Sequence, residues 1–144
     1  MIQRIQSLYL LIGALLLALF FVFDAPWSST AATAYGWFEP ALIGSIVATA
    51  GLALGSIFLY TRQTVQRTAV VIVQGLTVVL AATLYGGLFL SGELSVQSPD
   101  GFNEAKLTAL VLPVAAYVLF MLARRGIEHD IKILEDQNNF RLRD

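Results

Sequence analysis

The sequence predicts an all-α integral membrane protein: a four-transmembrane-helix bundle, both termini cytoplasmic, with a short C-terminal amphipathic helix. Three observations lead there. Hydrophobic residues make up 57% of the 144, above the roughly 45–50% usual for soluble domains. Charged residues make up 13%, about half the ~25% of a soluble domain and too few to clothe a fold of this size. Four runs, about residues 5–23, 40–60, 69–90 and 107–123, carry no charge at all. At 1.5 Å per residue, a helix of about 20 residues crosses ~30 Å of hydrocarbon. The runs are apolar all round and rich in Leu and Ala, whereas a barrel strand would alternate. The chain thus divides into a bundle, residues 1–123, and a cytoplasmic tail, residues 124–144.

The first run follows a weak basic leader containing Arg4, and small residues at 28–34 could serve a signal peptidase. The apolar run is as long as a usual signal core or longer, so it is expected to stay as a membrane helix. The loop at residues 24–39 has Trp27, Tyr35, Trp37 and Phe38 near its ends, where aromatic rings suit the headgroup zone. Pro40 stands where a second helix would start, a position that tolerates its missing N–H.

The second span carries Gly44, Ala48, Gly51 and Gly55, at spacings that place them on one helical face. Such a strip lets another backbone approach closely, within the bundle or against another subunit. Gly75, Ala82 and Gly86 form a sparser strip in the third span. The turn at residues 61–68, with Arg62 and Arg67, is short enough to make spans two and three an antiparallel hairpin. In the third span Gln74 is the most polar residue at any depth, suited to a hydrogen bond between helices.

The loop at residues 91–106 holds Glu93, Asp100, Glu104 and a Ser-Pro-Asp-Gly turn, read as a solvated turn. Pro113 removes a backbone bond in the fourth span and should bend the helix near Ala109. In the tail Ile127, Ile131 and Leu134 follow helical spacing, and Glu128 with Lys132 could form an i,i+4 pair. Basic and acidic residues balance there, which suits a protein surface better than an anionic membrane. Arg4, Arg62, Arg67, Arg124, Arg125 and Lys132 fall at one side of the spans and only Lys106 at the other. Basic residues favour the cytoplasm, so both termini are expected inside.

The same inventory bears on function. With no cysteine, thiolate chemistry and disulfides are absent. No span has an ionisable residue at its middle, and the one histidine, His129, lies in the polar tail. No nucleophile–base set, carboxylate dyad, metal cluster or phosphate-cradling loop can be assembled, so neither catalysis nor a cofactor is expected. Nothing resembles a nucleic-acid-binding face, and no small-molecule substrate is indicated.

The opening, Met1-Ile-Gln-Arg-Ile-Gln-Ser-Leu-Tyr-Leu-Leu, and the tail pattern of Ile127, Asp130, Ile133-Leu134 and Arg141 to Arg143 resemble a bacterial family of small four-span membrane proteins, catalogued as domain of unknown function 4293. Asn138-Asn139-Phe140 departs from that pattern. The resemblance implies an architecture and a bacterial inner membrane, not a mechanism. Both of its ends meet on the expected cytoplasmic face, where Gln3, Arg4 and Gln6 could pair with tail acids such as Asp130. The leading expectation is a non-catalytic accessory or scaffolding subunit, meeting lipid and a membrane-protein partner or its own copies. A small oligomeric transporter or channel is the alternative.

Overall fold

A computed structural model describes residues 2–143. Met1, Asp144 and the side chains of Ile2, Gln3 and Ser98 lie outside that description, including Gln3's expected part in the polar face at the opening. Helix α1 (Ile2–Ala18) tightens into one 3-10 turn, Leu19–Phe21. A short α2 (Thr30–Ala34) follows, then α3 (Phe38–Ile57) and α4 (Gln63–Leu90). Two-residue strands β1 (Gln97–Ser98) and β2 (Gly101–Phe102) pair antiparallel, with Gln97 opposite Phe102. The chain then enters α5 (Glu104–Arg141). Among the described residues, α1 with its 3-10 turn, α3, α4 and α5 are the four helices long and apolar enough to cross a membrane.

These four pack in a ring: α1 lies against α3 and α5, and α4 lies against α3 and α5. Inside it, Leu10 and Leu17 of α1 and Phe20 of its 3-10 turn join Leu42 and Ile46 of α3, Leu80 and Leu84 of α4, and Ala116 and Phe120 of α5, each buried to within 1%. The outside is equally apolar. Val47, Val78 and Val114 are each more than half exposed, and at most 39% of any span is buried by protein. That pattern inverts the soluble rule and is what a lipid solvent requires.

The element boundaries differ from expectation in three places. Helix α3 begins at Phe38, so Pro40 occupies its third position, still within the first turn whose N–H groups have no helical acceptor. Helix α4 begins at Gln63, so residues 63–68 of the expected turn are helical, leaving only residues 58–62 between the spans. Most important, the tail is not a separate helix. Helix α5 runs unbroken for 38 residues, about 57 Å at 1.5 Å per residue. Ile127 is buried and Ile131 half-buried against the bundle, whereas Leu134 and every described residue after it are exposed.

Pro113 lies within α5 without ending it. It offers no N–H to the carbonyl of Ala109, and one residue on, the Leu110 carbonyl accepts a 2.5 Å hydrogen bond from the Tyr85 hydroxyl of α4. A side chain from the neighbouring helix thus ties the backbone where proline weakens it.

Phe38, expected in the headgroup zone, is fully buried instead. Its ring fills the place a side chain would take at Gly87: a Cβ built there would overlap Phe38 Cδ2 and Cε2. Trp27 keeps an end-of-span position, stacked on Phe21 with ring centroids 5.8 Å apart, and its Nε1–H donates to the Phe20 carbonyl at 2.7 Å.

Candidate functional site

The described polar side chains that join distant parts of the chain gather mainly at the end of the ring where α1 begins, α3 turns into α4, and α5 leaves the bundle. The apolar spans force this placement, because an unpaired amide or charge among them would cost several kcal/mol. Gln6, 3% exposed, donates from Nε2 to Asp130 Oδ2 at 2.7 Å. Its stem lies on Gly126, where an added Cβ would come within 2.8 Å of Gln6 Cγ. Gly126 is the opening through which α1 reaches the α5 carboxylate.

A second cluster ties α4 to α5. Glu128 Oε1 accepts from Arg67 Nε at 3.0 Å and from Arg124 Nε at 2.9 Å. Arg124 also points Nη1 inward to Gln74 Oε1 at 3.3 Å. Gln74 is 6% exposed, so its carbonyl receives a charged donor that water would otherwise solvate. The Arg124 and Arg67 hydrogen bonds, in that order, hold the Glu128 carboxyl below the usual carboxylate range. One carboxylate serves two guanidinium groups, leaving this cluster with a net positive charge.

The expected link between the opening and the tail acid Asp130 is made by Gln6 alone; Arg4 is exposed and makes no ion pair among the described residues, and the expected Glu128–Lys132 pair is replaced. An amide can lie flat on Gly126, whereas a guanidinium on this crowded face would be drawn out of water. Glu128 turns toward Arg124 and away from Lys132, because Arg67 approaches from that side and one oxygen can accept from both. Gln74 makes an interhelical hydrogen bond of the kind its position predicted. The role of Arg67 had no sequence signal, since it depends on how far α4 extends before its apolar stretch.

At the other end the two longer loops are tied together. The Thr30 backbone N–H donates to Glu93 Oε2 at 2.9 Å and the Thr30 hydroxyl donates to Oε1 at 2.5 Å. These bonds, the hydroxyl first, lower the Glu93 pKa against the opposing effect of burial, with help from the Lys106 charge. Residues 91–106 are therefore more than a solvated turn. Glu93 pins them to α2.

The strip of Gly44, Ala48, Gly51 and Gly55 faces away from the ring, all four residues being exposed. A Cβ at any of the three glycines would meet nothing within 4 Å. The core stripe of α3 is Leu42, Ile46, Thr49, Ala53 and Ser56, which repeats every three or four residues just as the glycine strip does. Spacing alone could not say which stripe turns inward; the bulkier one does, because it fills the ring. Close helix approach inside the protein falls to other glycines: Gly13 under Phe120, Gly87 under Phe38 and Gly126 under Gln6. Gly13 and Gly126 are isolated in sequence, and Gly87 adjoins Gly86 of the third-span strip but lies off that strip, so no glycine pattern marked any of the three.

Among the described residues no three His, Cys, Asp or Glu side chains come together as a metal site. His129 is exposed on α5.

The fold and its polar ends define a multi-span helical membrane protein. The chain belongs to the family described as Domain of unknown function (DUF4293), whose pattern matches residues 2–139. No curated protein and no solved structure matches this chain.

Proposed function

We propose that this is a non-catalytic subunit of a bacterial inner-membrane assembly, acting as scaffold or accessory, with both termini cytoplasmic. The observation that carries the reading is the outward strip of α3. Gly44, Ala48, Gly51 and Gly55 present bare backbone on a helix whose inner face is already filled. In lipid, where apolar surface alone does not drive association, close backbone contact of this kind is what joins helices. The last three turns of α5, exposed on every side from Lys132 onward, add a second surface for a partner. The orientation rests on charge. Eight of the nine basic residues lie at the end where α1 starts and α5 exits, and five of the ten acids lie at the other.

The alternative, a small oligomeric transporter, would use Gln74 to line a path. Its oxygen is occupied by Arg124 and it is almost fully buried, which favours a structural role. Native mass measurement of the protein extracted in mild detergent tests the scaffold reading. The expected result is a particle heavier than one chain, reduced to one chain by Gly51→Leu. A strictly monomeric, partner-free particle, or solute flux in vesicles abolished by Gln74→Leu, would overturn it.

A further inference from the structure

The charges of the chain are unevenly spent. Beside the outer loops stand Asp24, Glu39, Glu93, Asp100 and Glu104 against Lys106 alone. At the other end a belt of five guanidinium groups surrounds the mouth of the ring: Arg4 on α1, Arg62 at the α3–α4 turn, Arg67 on α4, and Arg124 and Arg125 on α5. Among the described residues, the acids within this belt are Glu128, which Arg67 and Arg124 share, and Asp130, which is hydrogen-bonded to Gln6. Arg4, Arg62 and Arg125 are all exposed and, among the described residues, form no ion pair.

Three unpaired guanidinium groups on three separate elements, all at the ends of apolar spans, are poorly explained as internal stabilisers. A protein fold gains nothing from gathering like charges, which repel. They stand at the ends of the apolar spans, and the ends of a helix that crosses a bilayer fall in the headgroup zone. Beside Arg62 the surface opens into a groove of about 690 Å³, bordered by Tyr60, Thr61, Thr64, Val65 and Leu134. It offers the hydroxyls of Tyr60, Thr61 and Thr64 near the charge, with Val65 and Leu134 as an apolar border. A guanidinium matches a phosphate diester in charge and in the geometry of its paired donors.

We infer that this belt binds anionic phospholipid headgroups, with Arg4, Arg62 and Arg125 as the phosphate-contacting residues. The lipid becomes part of the assembly surface, neutralising the belt that the protein leaves uncompensated. The balanced charges of the α5 extension play no part in it. The inference goes beyond the scaffold reading and holds whichever face of the membrane the belt occupies.

The experiment uses the full chain in detergent micelles doped with phosphatidylglycerol, with phosphatidylcholine, or with phosphatidylcholine plus inorganic phosphate. Retained lipid is counted by native mass spectrometry and thermal stability is followed in parallel. Phosphatidylglycerol is expected to be retained preferentially and to raise the melting temperature, with affinity falling about fivefold for each of Arg4→Gln, Arg62→Gln and Arg125→Gln. Because these side chains are exposed, the variants should melt as the parent does in phosphatidylcholine. Equal retention of both lipids, or a preference unchanged in the triple variant, overturns the inference. Equal stabilisation by inorganic phosphate overturns the assignment to lipid. None of these outcomes bears on subunit stoichiometry, so the scaffold reading stands or falls separately.

Discussion

Gln6 and Asp130, 124 residues apart, meet in a 2.7 Å hydrogen bond that closes the ring between the first and last long helices. The amide is nearly fully buried and the acceptor is charged, which places the bond among the stronger ones. Replacing Gln6 with Leu should lower stability by about 1 kcal/mol, since the half-buried Asp130 carboxylate loses its donor and turns to water. Gln6→Leu with Asp130→Asn should cost less than the sum of the single changes. Thermal unfolding of the four proteins, as a double-mutant cycle, measures that coupling.

The glycines should separate into two groups of opposite sign. Gly13→Ala and Gly87→Ala drive a methyl into Phe120 and Phe38 and should destabilise by about 1–3 kcal/mol. Gly51→Ala and Gly55→Ala meet open space, and alanine's better helix propensity should make them neutral or stabilising by up to about 1 kcal/mol. Melting temperatures of a single chain in detergent distinguish the groups.

Tyr85→Phe removes the hydroxyl that donates to the Leu110 carbonyl. A loss of about 1 kcal/mol is expected, accompanied by faster amide exchange along α5 near Pro113. Exchange unchanged there would show that α4 does not brace the proline.

Two carboxylates make stability depend on pH. Glu128 and Glu93 both have their pKa lowered in the folded protein, so each contributes stability that is fully present above its unfolded value. That contribution is lost as pH falls from there through the lower folded value. Melting temperature should therefore drop below about pH 4.5, the ordinary range of a glutamate. Glu128→Gln and Glu93→Gln should each flatten part of that drop. Both groups touch solvent, so each effect is small, and added salt should shrink it further at Glu128.

The spans themselves were plain in the sequence, because an uncharged run of that length has one physical solution in lipid. Facing was not. Helix α3 carries two stripes with the same spacing, and only three-dimensional filling decided that Leu42 and Ile46 turn inward while Gly51 and Gly55 turn out. Phe38 belongs to an aromatic cluster that composition assigns to the headgroup zone, but the space left at Gly87 draws it into the core. Continuity of α5 was hidden by the change of composition at Arg124. A polar stretch reads as a new element, although no backbone feature between Ala123 and Arg141 ends the helix. Gln74 and Asp130 were legible because a buried amide and an acid near a span must find partners. Which partner each found depended on helix register, and register is not written in hydropathy.

Helix α5 finally has a mechanical consequence. Its backbone is helical from Glu104 to Arg141, with the hydrogen-bond ladder interrupted at Pro113, where Tyr85 braces it. Asn103, whose side chain caps its start by accepting from the Lys106 N–H at 3.0 Å, adjoins the loop that Glu93 ties to Thr30. Phe140 stands free near the far end, 72% exposed. A load applied around Phe140 is carried along that backbone, past the clasp of Tyr85 on Leu110, to the loop pair at the other end.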